Sequence, residues 1–289
     1  MSVCYAIYGR FDLKFTKQNV KLVVQKASDI GFIYMAREDF VITSRHLNVD
    51  QATDVLLTTT EEILDEGGAF LYGRFQDTGV SIRIREENNA LVFSFGSFYY
   101  RWDKDFSNGQ RIHTIDFARY IRLMLDVCKD ITLLDLHTFA DNLTDIIGDA
   151  ENCVVAALDL GFFGEKYPGG HEIIKLSIEY LLSNAVQNKF VFFDEFFDKQ
   201  REPFMQNLYD TLKADFPINL YAKKDHVPVK IEIKKDQQGN DFVSIYPVEP
   251  YLIQKGHESN EEKLDASFYV QRLLELCENF AIYELKTFF

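Results

Sequence analysis

The chain has 289 residues, 47% hydrophobic and 15% aromatic, which excludes a disordered or low-complexity protein. The formal charge is −14, spread as 16 basic against 22 acidic residues up to position 149 and 15 against 23 after it. Such an even acidity disfavours nonspecific binding to nucleic acid or to an anionic membrane.

No apolar run approaches the roughly 20 residues that cross a bilayer. The opening MSVCYAIYGRFDLKF lacks the basic start and apolar stretch of a secretory leader. A cytoplasmic protein is expected, with export by a signal-independent route left open.

Val3–Tyr8 reads as a first strand. A helix over Gln18–Ser28 follows, with Val20, Val23, Val24 and Ala27 at helical spacing. Phe32–Met35 and Phe40–Thr43 are extended, and a second helix runs near Gln51–Asp65. Leu71-Tyr72 leads into Val80–Ile84, whose strict apolar–polar alternation marks a strand with one buried face. Glu86–Asn89 turns the chain into a returning strand, Leu91–Phe95, and Phe98–Trp102 is a further strand. Thr114 is the expected N-cap of a closing helix, with Phe117, Ala118, Ile121, Met124, Leu125 and Cys128 on one stripe. A last strand spans Ile131–Leu136.

The second half repeats this order. Its segments are a strand at Cys153–Leu158, helices at His171–Leu182 and Pro203–Ala214, and strands at Phe190–Phe193, Val229–Ile233 and Phe242–Tyr246. Ser259–Glu262 has capping-box spacing before the closing helix, and Phe280–Leu285 is the final strand. Asp116–Phe139 and Asp265–Phe288 align at an offset of 149 with seven identities: the pairs Asp116/Asp265, Tyr120/Tyr269, Leu125/Leu274, Cys128/Cys277, Leu136/Leu285, Thr138/Thr287 and Phe139/Phe288.

The expected fold class is therefore α+β: a tandem duplication of an α+β unit, each a mainly antiparallel sheet covered by about three helices, in a pseudo-two-fold arrangement. The expected bounds are 1–140 for the first repeat, 141–152 for a connector and 153–289 for the second repeat.

The cysteines follow the repeat, Cys4 with Cys153 and Cys128 with Cys277, and fit no zinc spacing. They read as buried reduced thiols; disulfides pairing Cys4 with Cys128 and Cys153 with Cys277 are the alternative. No HExxH, nucleophile elbow, Walker loop or dinucleotide motif is present, so no metal site or cofactor is expected and catalytic residues stay unassigned. His137 aligns with Lys286 at the repeat offset, and positions where the copies differ are freer to carry function.

Three features suggest binding. Arg83 and Arg85 point away from Ile82 and Ile84, with Arg74 on the preceding strand and Tyr99 and Arg101 on a later one, a set suited to an anionic partner. The second copy offers Lys223, Lys230 and Lys234, interrupted by Glu232. A solvated face with internally paired charges is the alternative for both. Lys166 and His171 flank a Pro-Gly-Gly loop entering a helix, where free amides can hold an anion. Phe196 and Phe197 are either exposed anchors for a partner or filling at the joint between the repeats.

The expected function is a non-catalytic protein-binding or regulatory protein, comparable in class to acidic toxin-immunity proteins or secretion chaperones. The alternative is an enzyme or small-anion binder with its site in the cleft between the repeats. The expected partner is another protein, with no membrane or nucleic acid and the oligomeric state open.

Overall fold

The computed structural model describes residues 5–38, 41–62, 71–75, 78–97, 117–139, 153–158, 170–201, 217–235, 241–248 and 265–288. The chain divides into two compact units, Met1–Thr114 with Arg119–Thr144, and Ile115–Ala118 with Asp145–Phe289.

In the first unit the strands are β1 (Tyr5–Phe11), β2 (Phe32–Glu38), β3 (Val41–Leu47), β4 (Leu71–Phe75), β5 (Thr78–Glu87), β6 (Ala90–Ser97) and β7 (Leu133–Phe139). They lie in the order β3-β2-β4-β5-β6-β1-β7, and every pairing is antiparallel. The helices are α1 (Lys17–Asp29), α2 (Val49–Glu62) and α3 (Ala118–Val127). In the second unit β8 (Cys153–Leu158), β9 (Val191–Phe193), β10 (Ile218–Lys224), β11 (Val227–Lys235), β12 (Asp241–Pro247) and β13 (Ile282–Phe288) lie in the order β13-β8-β12-β11-β10-β9, again antiparallel. Its described helices are α4 (Gly170–Gln187) and α5 (Ala266–Leu276).

The fold class is thereby corrected. Thirteen strands against five helices among the described residues make a sheet-dominated antiparallel fold, not a duplicated α+β unit. The physical reason is in the connections. The segments expected as extended, Phe32–Met35 and Phe40–Thr43, run into β2 and β3; these two pair with each other and β2 pairs with β4, so they lengthen the first unit's sheet. Among the described residues the second unit has in their place the three-residue β9 beside β10. Over β4-β5-β6-β1-β7 and β10-β11-β12-β8-β13 the two units do share an order of strands.

Local chemistry explains the boundaries. Thr16 caps α1 by accepting from the Asn19 amide at 3.3 Å, and Gly31, at φ 106°, lets the chain leave the helix. Asp130 and Asn279 take left-handed φ values of 65° and 67° after α3 and α5. These extra turn residues delay β7 and β13 by two residues relative to the starts expected from sequence. The N-cap of α5 is Asp265, which accepts from the Ser267 amide at 3.0 Å; the expected capping box, Thr114, the Pro203–Ala214 helix and the connector lie outside the described residues.

In the first unit Ile7, Phe11, Ile82, Ile84, Phe93 and Phe95 share one sheet face and are buried with Val20, Val23, Val24 and Ala27 of α1 and Ile121 and Met124 of α3. A Cβ on Gly9 would meet Met124 Sδ at 2.8 Å, so the missing side chain is what lets α3 lie this close to β1. Cys128, Cys153 and Cys277 are buried, and Cys153 and Cys277 are free thiols; burial pushes Cys153 up to about 11, and Cys277 is also raised by burial. Among the described residues no helix is long and apolar enough to cross a membrane.

Candidate binding surfaces

The other face of the first unit's sheet is built by period-two alternation. On β1, Ile7, Gly9 and Phe11 point to the core, so Tyr8 and Arg10 take the opposite face. The strand registers then line up two rows across β5, β6, β1 and β7. One row is Arg83, Ser94, Tyr8 and His137; the other is Arg85, Val92, Arg10 and Asp135.

Within these rows the Tyr8 and His137 rings stack with centroids 4.9 Å apart and planes 14° apart. The Arg85 guanidinium lies 5.7 Å from the centroid of the Tyr8 ring, a cation–π arrangement. Arg10 Nε donates to Asp135 Oδ2 at 2.6 Å, so this arginine is neutralised inside the face. Arg85 also donates to Glu87 at 2.8 Å, at a solvent-exposed site where such a pair is weak.

The structure therefore brings Arg83 and Arg85 together, one half-buried and one exposed, beside a stacked pair of rings. Arg74 lies farther out on β4, opposite Gly79 and exposed. Tyr99, Arg101 and Lys166 lie outside the described residues, and His171 falls in the first turn of α4. Sequence reasoning did not connect Tyr8, Arg10 and Asp135 with this surface. Alternation on β1 signals the side that Tyr8 and Arg10 take, but only the register shows what they face.

The corresponding polar side of the second unit is closed on itself. Glu232 accepts from Tyr246 Oη at 2.9 Å and lies 3.6 Å from Lys230 Nζ and 3.3 Å from Lys234 Nζ. Burial alone would raise the Glu232 carboxyl. The Tyr246 hydrogen bond and the two lysines outweigh it and hold the group below its usual value. Those lysines are spent internally, as the paired-charge alternative requires.

At the outer edge of the second unit, Asp194–Lys199 forms a tight turn after β9. Asp194 Oδ1 accepts from the amides of Asp198 at 2.9 Å and Lys199 at 3.3 Å, and the Phe197 amide donates to the Asp194 carbonyl at 3.0 Å. The turn separates the two phenylalanines. The Phe197 ring packs against Phe193 at 5.9 Å and Tyr221 at 5.8 Å, whereas Phe196 is 74% exposed.

No family model and no curated protein matches this chain.

Proposed function

We propose that the protein is a non-catalytic binding protein that recognises an acidic segment of another protein through the polar sheet face of its first unit. The observation that carries this reading is the Arg85–Tyr8–His137 stack with Arg83 in the same cross-strand row. A planar guanidinium offers paired N–H donors that match a carboxylate, and strand-borne side chains are pre-aligned, so little entropy is lost on binding. The net charge of −14 opposes a long polyanion such as nucleic acid but leaves room for a short acidic peptide held by a local basic patch. A cytoplasmic setting belongs to the same reading, supported by the free thiols of Cys153 and Cys277.

The test is fluorescence anisotropy with a labelled oligoglutamate peptide, against a single-stranded oligonucleotide of matching charge. Peptide binding that weakens with salt, and by roughly tenfold on Arg83→Ala or Arg85→Ala, supports the proposal. Tighter binding of the oligonucleotide, or peptide binding indifferent to both substitutions, refutes it.

A further inference from the structure

We propose that Phe196 is an anchor by which the second unit docks a protein partner, and that the partner offers an apolar pocket rimmed by lysine or arginine.

Exposure alone does not carry this, because single exposed apolar residues are common. Phe196 is nonetheless 74% exposed where the next large hydrophobic side chain among the described residues, Val186, reaches 49%. The second observation is that its position is enforced. Phe197 has a left-handed φ of 57°, a strained conformation for a bulky L-residue. Such strain persists only where the surroundings over-determine it.

They do so here. The Asp194 side chain and main chain tie the turn, and the Asp194 amide donates to the Lys199 carbonyl at 3.0 Å. Lys223 Nζ lies 4.5 Å from the Phe193 ring centroid and 5.6 Å from that of Phe197. With Phe197 locked inward, its neighbour is held outward. A pre-ordered aromatic side chain loses little conformational freedom when it enters a pocket, which is the behaviour of interface anchors.

Charge defines the pocket. Glu195 directly precedes Phe196 and Asp198 follows Phe197, both exposed, while the exposed Lys199 lies beyond Asp198; the part of the rim that meets Glu195 is therefore basic. Strand addition is not the mode of docking. The return segment already occupies the edge of β9: the Arg201 amide donates to the Phe192 carbonyl at 2.8 Å, and Gln200 bridges Phe193.

The full-length protein with p-benzoylphenylalanine at position 196 is irradiated in its own cells, and the adduct is identified by mass spectrometry. That partner is then purified and titrated calorimetrically against wild type, Phe196→Ala and Glu195→Lys. The expected result is cross-linking to a partner segment flanked by Lys or Arg, at least ~30-fold weaker binding by Phe196→Ala, and measurable weakening by Glu195→Lys. Phe196→Ala retains its thermal midpoint, because the removed ring is solvent-exposed. No adduct, an adduct with a second copy, a nucleic acid or a lipid, or unchanged affinity of Phe196→Ala overturns the proposal. Arg83→Ala and Arg85→Ala leave this interaction intact, which separates its fate from that of the first unit's surface.

Discussion

Glu284 stands opposite Ala157 across the β13–β8 pair, beside a register shift. Asp135 occupies the equivalent place in the first unit, where the residue across the strand is Arg10 and the two form an ion pair. Ala157 offers nothing in return. Glu284 is 6% exposed, and its Oε2 lacks a hydrogen-bond partner among the described residues.

Burial pushes the Glu284 carboxyl up to about 7 from a value of 4.5, with Lys286 opposing the shift. The folded state therefore binds this proton more tightly than the unfolded state. The associated stability is fully present below pH 4.5 and is lost as pH rises through 7. The loss is of the order of 3 kcal/mol. Glu284→Gln removes that segment of the curve, so the variant is more stable than wild type at pH 8 and closer to it at pH 4.5. Urea denaturation across pH 4–8 measures the difference; parallel curves would show that Glu284 is not the titrating group.

Glu232 carries the opposite sign. Its carboxyl is held below the usual value, so its contribution is present above the unfolded value of 4.5 and lost as pH falls through the lower folded value. Tyr246→Phe removes the hydroxyl that donates to it at 2.9 Å and is expected to cost about 1–3 kcal/mol at neutral pH. The effect shrinks in acid, where the acceptor is protonated. Chemical denaturation at pH 7 and pH 3 checks both parts.

Arg272 is 9% exposed and donates through Nη1 to both oxygens of Glu275, at 2.7 and 2.9 Å, while Nη2 pairs with Asp225 in the β10–β11 turn. Asp225 and His226 take left-handed φ values of 50° and 67°, a two-residue hairpin turn without glycine. Arg272→Met leaves the half-buried Glu275 with the Lys224 ammonium at 3.6 Å but without its closest partner, and is expected to destabilise by about 1–3 kcal/mol. Arg272→Lys recovers only part of this, because an ammonium cannot reproduce the fork. Thermal unfolding of the two variants ranks them.

Gly9→Ala drives a Cβ into Met124 Sδ, 2.8 Å away. A thioether end can shift, so the expected cost is near the low end of overpacking, about 1 kcal/mol, rising to about 3 kcal/mol for Gly9→Val. Met124→Ala relieves the penalty. A double-mutant cycle in urea would read this as a coupling between the two sites.

Much of the local structure was legible in the residues. Alternation located β5 around Val80–Ile84, and 3.6-residue spacing placed α1 within one residue of Lys17–Asp29 at each end. The polar face bearing Arg83 and Arg85 followed from the same period. What failed was the inference from a repeated pattern to a duplicated α+β architecture, since periodicity states which side of a strand is buried and not how many strands join it. Phe196 and Phe197 looked alike in sequence; a left-handed φ and a packed ring at Phe197 separate them.

The sequence by itself determined the alternation and apolar face of β5, the helical spacing of α1 and the chain's acidity, because these depend on composition and on neighbours within a few positions. Only the tertiary structure decided that Arg10 faces Asp135 across 125 residues of chain, that Tyr8 lies between Arg85 and His137, and that Glu284 meets Ala157 instead of an arginine. Each of these is a matter of strand register. A shift of one residue moves every side chain to the other face, and the register is set by the packing of the whole sheet and not by any single strand.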